Sequence, residues 1–210
     1  MNFAINDYYI VYIFWNLFLL IIPFFLSLCL GELWKKTKFR RLIHIVLAIF
    51  LAFFWILFIP NTAYVVADAR HLSGFCPDNK NRICVENAWM IMFFFTYAVI
   101  GWVGFVYLFN QMKTLISKIF GKRTALFFAP LGIPVISLGV MLGLIDRLNS
   151  WEVFMKPMEI IQKASTYFTD FTRFKNLFAF IVFYYILYYT GDIIFKKKIL
   201  KIGRRKNNYV

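Results

Sequence analysis

Five long apolar runs constrain this chain more than any other feature of its sequence. They cover residues 8–30, 42–59, 89–109, 125–145 and 177–195. A helix rises about 1.5 Å per residue, so roughly 20 apolar residues cross the hydrocarbon core of a bilayer. The runs predict an all-α fold, a polytopic membrane bundle of five transmembrane helices.

The composition supports the same class of protein. Of 210 residues, 61% are hydrophobic and only 16% are charged, whereas a soluble domain carries roughly a quarter charged residues. A surface that is this apolar would not stay dispersed in water. We therefore expect residues 1–210 to form a single integral membrane domain, with the lipid bilayer as its surroundings.

The distribution of basic residues predicts the orientation of the bundle. With five spans, sixteen of the 24 Lys and Arg and two of the ten acids fall on the side of the carboxyl terminus. Cytoplasmic loops carry an excess of Lys and Arg. The amino terminus is therefore predicted outside and the carboxyl terminus in the cytoplasm, with the protein as a multi-pass component of the plasma membrane. Because basic residues follow the first run, we expect an uncleaved anchor.

The net charge of +14 does not indicate nucleic-acid binding. The charge is spread over loops beside the membrane and over the basic tail at residues 196–210, with no binding fold around it. Anionic phospholipid is the expected partner of these cytoplasmic loops and of the tail. No cofactor is expected, and the sequence does not indicate an oligomeric state.

A first polar motif lies at residues 58–72, at the end of the second apolar run. Asn61, Tyr64, Asp68 and His71 follow at steps of three, four and three, with Arg70 beside them. On a helix these steps place the four side chains on one stripe. Another interpretation is a helix that restarts after a proline break, where Asn61 satisfies backbone groups that Pro60 leaves without a partner.

A second polar motif, residues 146–152, also follows directly on an apolar run. It contributes Asp146, Arg147, Asn149, Ser150, Trp151 and Glu152. A structural interpretation is a capping box, in which Asn149 caps a helix, Glu152 reaches back and Trp151 lies at the membrane interface.

The segment that starts at Pro157 has helical periodicity. Ile160, Ile161, Ala164, Tyr167, Phe168 and Phe171 share one face, and polar residues share the other. This pattern predicts an amphipathic helix in the last outer loop, either along the membrane interface or as a lid over a site beneath it.

Ionisable groups beside an apolar bundle are costly and are usually paired or functional. One hypothesis is therefore a shared outer-face pocket, in which Asp68 pairs with Arg147 if the small face of Gly139 and Gly143 makes the second and fourth spans neighbours. The alternative is a structural network of ion pairs. The candidate ligand-binding residues are Asn61, Tyr64, Asp68, Arg70, His71, Asp146, Arg147, Asn149, Ser150, Trp151 and Glu152. No catalytic residue is assigned.

Cys76 and Cys84 close a short polar loop on the predicted outer side. A disulfide is the expected arrangement there, since that side of the membrane is oxidising. Two free thiols and a metal site with His71 are the alternatives. No paired Cys-x-x-Cys spacing occurs in the sequence, so no metal is predicted.

The two motifs together resemble a known family. They are similar to the pattern of domain of unknown function 1361. The matching residues are Pro60, Asn61, Tyr64 and Asp68, followed by Arg147, Asn149, Ser150 and Trp151. The glycine and arginine expected just before the second motif are replaced by residues 144–146. The resemblance implies an uncharacterised bacterial multi-pass membrane protein and names no activity.

Three classes of function are open. The first is a membrane protein that binds a small polar ligand or a lipid headgroup at the outer face. The second is an enzyme acting on a lipid-linked or phosphate-bearing substrate, with Asp68 or His71 as the base and Arg70 or Arg147 on the phosphate. The third is a small transporter or an accessory subunit, although no inverted repeat is visible. No catalytic signature motif occurs in the sequence, which argues against the enzyme.

Overall fold

The computed structural model describes residues 4–5, 8–70 and 89–207, with side chains for 12–70 and 89–195. Two short strands, β1 (Ala4–Ile5) and β2 (Tyr8–Tyr9), pair antiparallel at the amino terminus. The helices are α1 (Ile10–Thr37), α2 (Leu42–Phe58), α3 (Pro60–Ala67), α4 (Trp89–Phe120), α5 (Lys122–Leu144), α6 (Glu152–Met155), α7 (Pro157–Thr169) and α8 (Phe171–Asn207). The two-residue strands are too short for a sequence pattern to predict.

The prediction of five membrane-spanning helices is confirmed. In the described residues, five helical segments are long and apolar enough to cross a membrane: Tyr12–Thr37, Leu42–Arg70, Trp89–Phe120, Lys122–Leu144 and Phe171–Phe195. Large apolar side chains cover their outward faces. Phe14 is 68% exposed, Leu131 69% and Phe178 58%. Such a surface is suited to lipid chains rather than to water, and the protein is a multi-pass membrane protein.

Helix α3 lies between α4 and α5, and glycines make the close approach possible. A β-carbon at position 139 would lie 2.7 Å from Pro60 Cγ, and one at position 101 would lie 2.7 Å from Val65 Cβ. Because glycine has no β-carbon, α4 and α5 can approach α3 from two sides. The predicted small face on the fourth span therefore meets the first polar motif.

An aromatic core joins α4 to α8 inside the bundle. Phe105 and Phe109 of α4 pack against Tyr188 of α8, with ring centroids 6.4 and 5.1 Å apart. The buried Tyr184 hydroxyl donates a hydrogen bond to the Ala63 carbonyl at 3.0 Å. Helix α8 is thereby joined to α3 across the bundle.

Contacts between helices define the two ends of the bundle. Five helix ends meet at one end of the bundle, which we call the motif end. They are the start of α1, the ends of α3 and α5 and the starts of α4 and α8. The opposite end, the basic end, carries Lys35, Lys36, Lys38, Arg40, Arg41, Lys113, Lys118, Lys122 and Arg123. The direction in which these ends face the membrane stays a prediction. His71 and the Cys76–Cys84 pair lie outside the described residues.

Candidate functional site

The first motif begins where Pro60 interrupts the helix. Pro60 has no N–H to donate to the Ile56 carbonyl, and next to this break the Thr62 N–H turns to the Ile59 carbonyl at 3.1 Å. The Phe58 carbonyl is then left without its usual helical donor, and the Asn61 side-chain amide donates to it at 3.0 Å. The proposed role of Asn61 at a proline break is therefore present in the structure.

Asn61 also joins the two motifs. Its Nδ2 donates a second hydrogen bond to Ser150 Oγ at 3.1 Å. These residues are 89 positions apart in the chain. Both motifs therefore lie on the same side of the bundle at the motif end.

Tyr64 and Arg70 extend this contact toward the end of α5. Arg70 Nη1 donates to the Leu144 carbonyl at 2.9 Å, and Arg70 Nη2 donates to the Tyr64 hydroxyl at 3.1 Å. The Leu144 carbonyl is one of the last four of its helix, which have no helical donor. A cation at this position also interacts favourably with the helix dipole. The Tyr64 ring lies beside Gly143, where a β-carbon would be 3.5 Å from it.

Asp68 belongs to an internal cluster formed by three helices. Its side chain is buried, and Oδ2 accepts hydrogen bonds from Asn16 Nδ2 at 2.8 Å and from the Tyr97 hydroxyl at 3.5 Å. Among the described residues, no ion pair joins Asp68 to Arg147. The pairing suggested by the sequence is not formed, because Asp68 faces α1 and α4 inside the bundle while Arg147 is on its surface.

Arg147 has an unusual backbone and an open side chain. Its φ is 55°, in the left-handed region, which costs a non-glycine residue roughly 1–2 kcal/mol. The following N–H, that of Leu148, returns to the Leu142 carbonyl at 3.1 Å and closes the end of α5. The guanidinium is exposed and makes no hydrogen bond or ion pair with another described residue. It is therefore available to a ligand.

Asp146 takes part in a separate ion cluster with α7 and α8. Its carboxylate contacts Arg173 Nη1 at 3.1 Å and Lys163 Nζ at 3.6 Å, and it accepts a hydrogen bond from the Tyr167 hydroxyl at 2.7 Å. Its side chain is 2% exposed.

The same contacts shift the pKa values of both partners. Burial raises the pKa of Asp146, but the hydrogen bonds from Tyr167 and Arg173 and the charges of Arg173 and Lys163 outweigh it, and the pKa is lowered. Burial and then the hydrogen bond to Asp146 raise the pKa of Tyr167. Asp146 therefore remains ionised at neutral pH and fastens α7 to the bundle.

The remaining residues of the second motif make local or aromatic contacts. The Asn149 N–H donates to Glu152 Oε2 at 2.6 Å. The predicted capping box is not formed, because α6 begins at Glu152 with Trp151 as its N-cap and no side-chain capping bond. The Trp151 ring lies 6.0 Å from the Trp15 ring in an edge-on arrangement. These contacts hold the segment before α6 against the start of α1.

The structure thus brings together most of the predicted site residues but divides them among three groups. The first group lines the surface of the motif end beside Arg147 and consists of Asn61 with Ser150 and Tyr64 with Arg70. The second is the internal cluster around Asp68. The third is the ion cluster in which Asp146 fastens α7. Sequence reasoning missed Asn16, Tyr97 and Arg173 as partners. As a polar residue inside an apolar run, Asn16 was expected to bond to a neighbouring helix or to its own backbone, but its partner was not identified. No comparable signal marked the other two.

Chemically, the surface part of the motif end presents two guanidinium groups, a phenol and a serine hydroxyl. Guanidinium groups bind phosphate and carboxylate groups through paired hydrogen bonds. Within the described part of the chain, no group of three or more His, Cys, Asp or Glu is arranged to hold a metal ion.

Comparison with known proteins gives one match. Neither a search of curated proteins nor a search of solved structures finds a similar protein. A family model described as protein of unknown function (DUF1361) matches residues 15–190. This range contains both polar motifs and all five spans over most of their length. The chain therefore belongs to the DUF1361 family of membrane proteins, whose function is unknown.

Proposed function

We propose that the two motifs form a binding site at the outer face of the plasma membrane, and that its ligand is a small polar molecule or a lipid headgroup. The hydrogen bond from Asn61 to Ser150, at 3.1 Å, is the main support. It holds the second motif beside the first, so the Arg147 guanidinium extends from the same surface that carries Tyr64 and Arg70. The outer location follows from the predicted orientation.

The charges at this surface favour an anionic ligand. Arg147 is exposed and has no partner among the described side chains, while the nearby carboxylate of Asp146 is engaged by Arg173 and Lys163. A positive group at the membrane surface without a protein counter-ion attracts phosphate oxygens. We therefore expect a headgroup that contains phosphate to bind more tightly than a neutral one.

Native mass spectrometry of the purified protein tests the proposal. Phosphatidylglycerol and a neutral diacylglycerol are added to the protein in detergent, and the fraction with bound lipid is measured. Removing one charged hydrogen-bond donor costs roughly 1.5–3 kcal/mol, so Arg147→Gln is expected to weaken phosphatidylglycerol binding on the order of tenfold. Binding of the neutral lipid should not change.

Arg123→Gln is the matched control, because Arg123 is an exposed arginine near the other end of α5. Equal losses in both variants would show that only general electrostatic attraction is being measured, and the proposal would fail. Asn61→Asp, which removes both amide hydrogens and adds charge beside Ser150, provides a second variant. It is expected to weaken binding as well.

A membrane enzyme acting on a phosphate-bearing lipid is the second candidate. It is favoured by a carboxylate, Asp68, that lies one helical turn beyond Tyr64 and two residues from Arg70. Against it, Asp68 is only 1% exposed, whereas a general base must come within hydrogen-bond reach of its substrate. Release of phosphate or headgroup from phosphatidylglycerol by the wild type, and its loss in Asp68→Asn with lipid binding retained, would favour the enzyme.

A further inference from the structure

A cavity with polar groups in a largely apolar lining lies at the basic end, away from both motifs. It has a volume of about 390 Å³, opens to the surface and is lined by residues of α4, α5 and α8. This volume is within the range of about 300–1,000 Å³ that is typical of small-molecule sites. Six of its lining residues are polar: Asn110, Lys113, Thr114, Ser117, Lys122 and Asp192.

One lysine of this cavity is held in position by the protein. The buried Tyr188 hydroxyl donates to Asn110 Oδ1 at 2.8 Å and accepts a hydrogen bond from Lys113 Nζ at 3.4 Å. The Lys113 ammonium also lies 5.7 Å from the centre of the Tyr188 ring, a distance at which an aromatic face attracts a cation. Most surface lysines are free to move, whereas Lys113 is half-buried and is held by the hydroxyl and the ring of Tyr188.

The polar groups of the lining are mostly hydrogen-bond donors. Because Asn110 Oδ1 is taken by Tyr188, the Asn110 amide group is left to donate, and no described residue accepts from it. The Ser117 hydroxyl and the exposed Lys122 ammonium are further donors. Two lysines and one aspartate give the lining an excess of one positive charge. A site of this kind fits an anion that has several acceptor oxygens.

We propose that this cavity between α4, α5 and α8 is a second binding site, which takes a phosphate group, either free or in the headgroup of an anionic phospholipid. Its position at the basic end places it where the surrounding Lys and Arg concentrate such groups. Lys113 and Lys122 bind the phosphate oxygens, and Asn110 and Ser117 donate the neutral hydrogen bonds. The site is independent of the one proposed at the motif end.

Ligand-induced stabilisation of the purified protein in a neutral detergent measures this binding. The midpoint of thermal unfolding is followed while phosphatidylglycerol or inorganic phosphate is added, and a Kd is taken from each titration. Lys113→Gln is expected to raise the Kd on the order of tenfold, because one charged donor is lost. Lys113→Arg keeps the charge and is expected to restore most of the affinity.

Lys118→Gln is the matched control. Lys118 is an exposed lysine of α4 at the same end and does not line the cavity. It should leave the Kd within about twofold, because its ammonium is not part of the lining that would hold the phosphate. Lys122→Gln is a second variant for the case that Lys113→Gln does not fold, because Lys122 is exposed and its replacement disturbs no packing.

The two ligands distinguish the source of the phosphate. Stabilisation by phosphatidylglycerol alone assigns the site to a lipid headgroup, and stabilisation by inorganic phosphate assigns it to the free ion. If Lys113→Gln and Lys118→Gln weaken binding equally, or if neither ligand stabilises the protein, the proposal is wrong. Lys113→Gln is expected to raise the Kd to the same extent in the Arg147→Gln background as in the wild type, so the two proposed sites can fail separately.

Discussion

At the scale of single residues, the Asn61 side-chain amide makes two hydrogen bonds, one to a backbone carbonyl at the proline break and one to the second motif. One amide hydrogen goes to the Phe58 carbonyl and the other to Ser150 Oγ. The proline break leaves the Phe58 carbonyl without its helical donor, so the first bond has a structural cause. The second bond has no such cause within α3, which is why it supports a shared site.

The two bonds of Asn61 can be separated by a double-mutant cycle. Asn61→Ala is expected to lower the free energy of unfolding by about 1–3 kcal/mol, because the Phe58 carbonyl is left without a donor. Ser150→Ala removes only the bond between the motifs and should cost about 0.5–1.5 kcal/mol. The expected coupling energy is of the same size as this second cost, measured by unfolding in mixed micelles.

Thr96→Ala is a suitable control for this cycle. Its hydroxyl is exposed at the same end and bonds to the Met92 carbonyl of its own helix. We expect a change within about 0.5 kcal/mol. Independent effects of the Asn61 and Ser150 substitutions would contradict the contact.

Single residues also show which contacts could be predicted from the sequence and which could not. The placement of Asn61 and Tyr64 at the surface of the motif end was predictable from spacing, whereas Asp68, the residue that follows α3, faces α1 and α4 instead. The partner of Asp68 was not predictable. Asn16 is 52 positions away and neutral, and opposite charges alone pointed to Arg70 or Arg147. A buried carboxylate can be satisfied by neutral donors, and spacing in the sequence gives no information about which helix supplies them.

At the scale of secondary-structure elements, the packing of α3 between α4 and α5 depends on glycine. The apolar runs predicted the helices, and the small residues of α5 predicted a close neighbour. The identity of that neighbour depended on the proline break, because Pro60 is the residue that touches Gly139. Helix α7 was predicted from its periodicity. The way in which α7 attaches to the bundle was not predicted. Tyr167 was assigned to an apolar face, whereas the Tyr167 hydroxyl donates a hydrogen bond to Asp146.

A single methyl group tests the packing of α3. In Gly139→Ala the new β-carbon would lie 2.7 Å from Pro60 Cγ, and the proline ring cannot turn away. We expect a loss of about 1–3 kcal/mol in unfolding free energy. In the control, Gly31→Ala, no atom lies within 4 Å of the new carbon. That change should be neutral or stabilising by up to about 1 kcal/mol. Equal stability of the two variants would contradict the close contact.

The attachment of α7 is expected to depend on pH. The pKa of Asp146 is lowered from its usual value of 3.8. A carboxylate with a lowered folded-state pKa stabilises the protein fully above its unfolded-state pKa, and this contribution is lost as the pH falls through the folded-state pKa. Asp146→Asn should cost about 1–3 kcal/mol at neutral pH. The difference from the wild type should shrink below about pH 4.

Glu159→Gln gives the comparison for α7. Glu159 forms an exposed ion pair with Lys156 at 3.6 Å, and such pairs contribute about 0–1 kcal/mol. Unfolding curves recorded between about pH 7 and pH 3 separate the two cases. A constant difference between the wild type and Asp146→Asn across this range would mean that the carboxylate charge does not hold α7.

At the scale of the whole molecule, charge is divided between the two ends of the bundle. The motif end carries the buried Asp68 and the paired Asp146 beside the exposed Arg147, and the basic end carries Lys and Arg that are exposed except for the half-buried Lys113. This division was visible in the sequence because the positive-inside bias acts on loops, independently of how the helices pack. The arrangement of helices around α3 was not, because it follows from contacts between residues far apart in the chain.

The direction of the bundle in the membrane can be measured with reporter fusions. A reporter after Val210 and one in the turn at Gly121 are both expected to be cytoplasmic, since both follow the basic end. A reporter inserted near Asn79 is expected to be external, because the segment between α3 and α4 connects residues at the motif end. Protease accessibility of intact cells provides the independent measurement. If the Asn79 reporter is cytoplasmic and the other two are external, the bundle keeps its fold but is inverted. The site of the two motifs would then face the cytoplasm, where phosphate-bearing metabolites rather than outer lipid headgroups would reach Arg147.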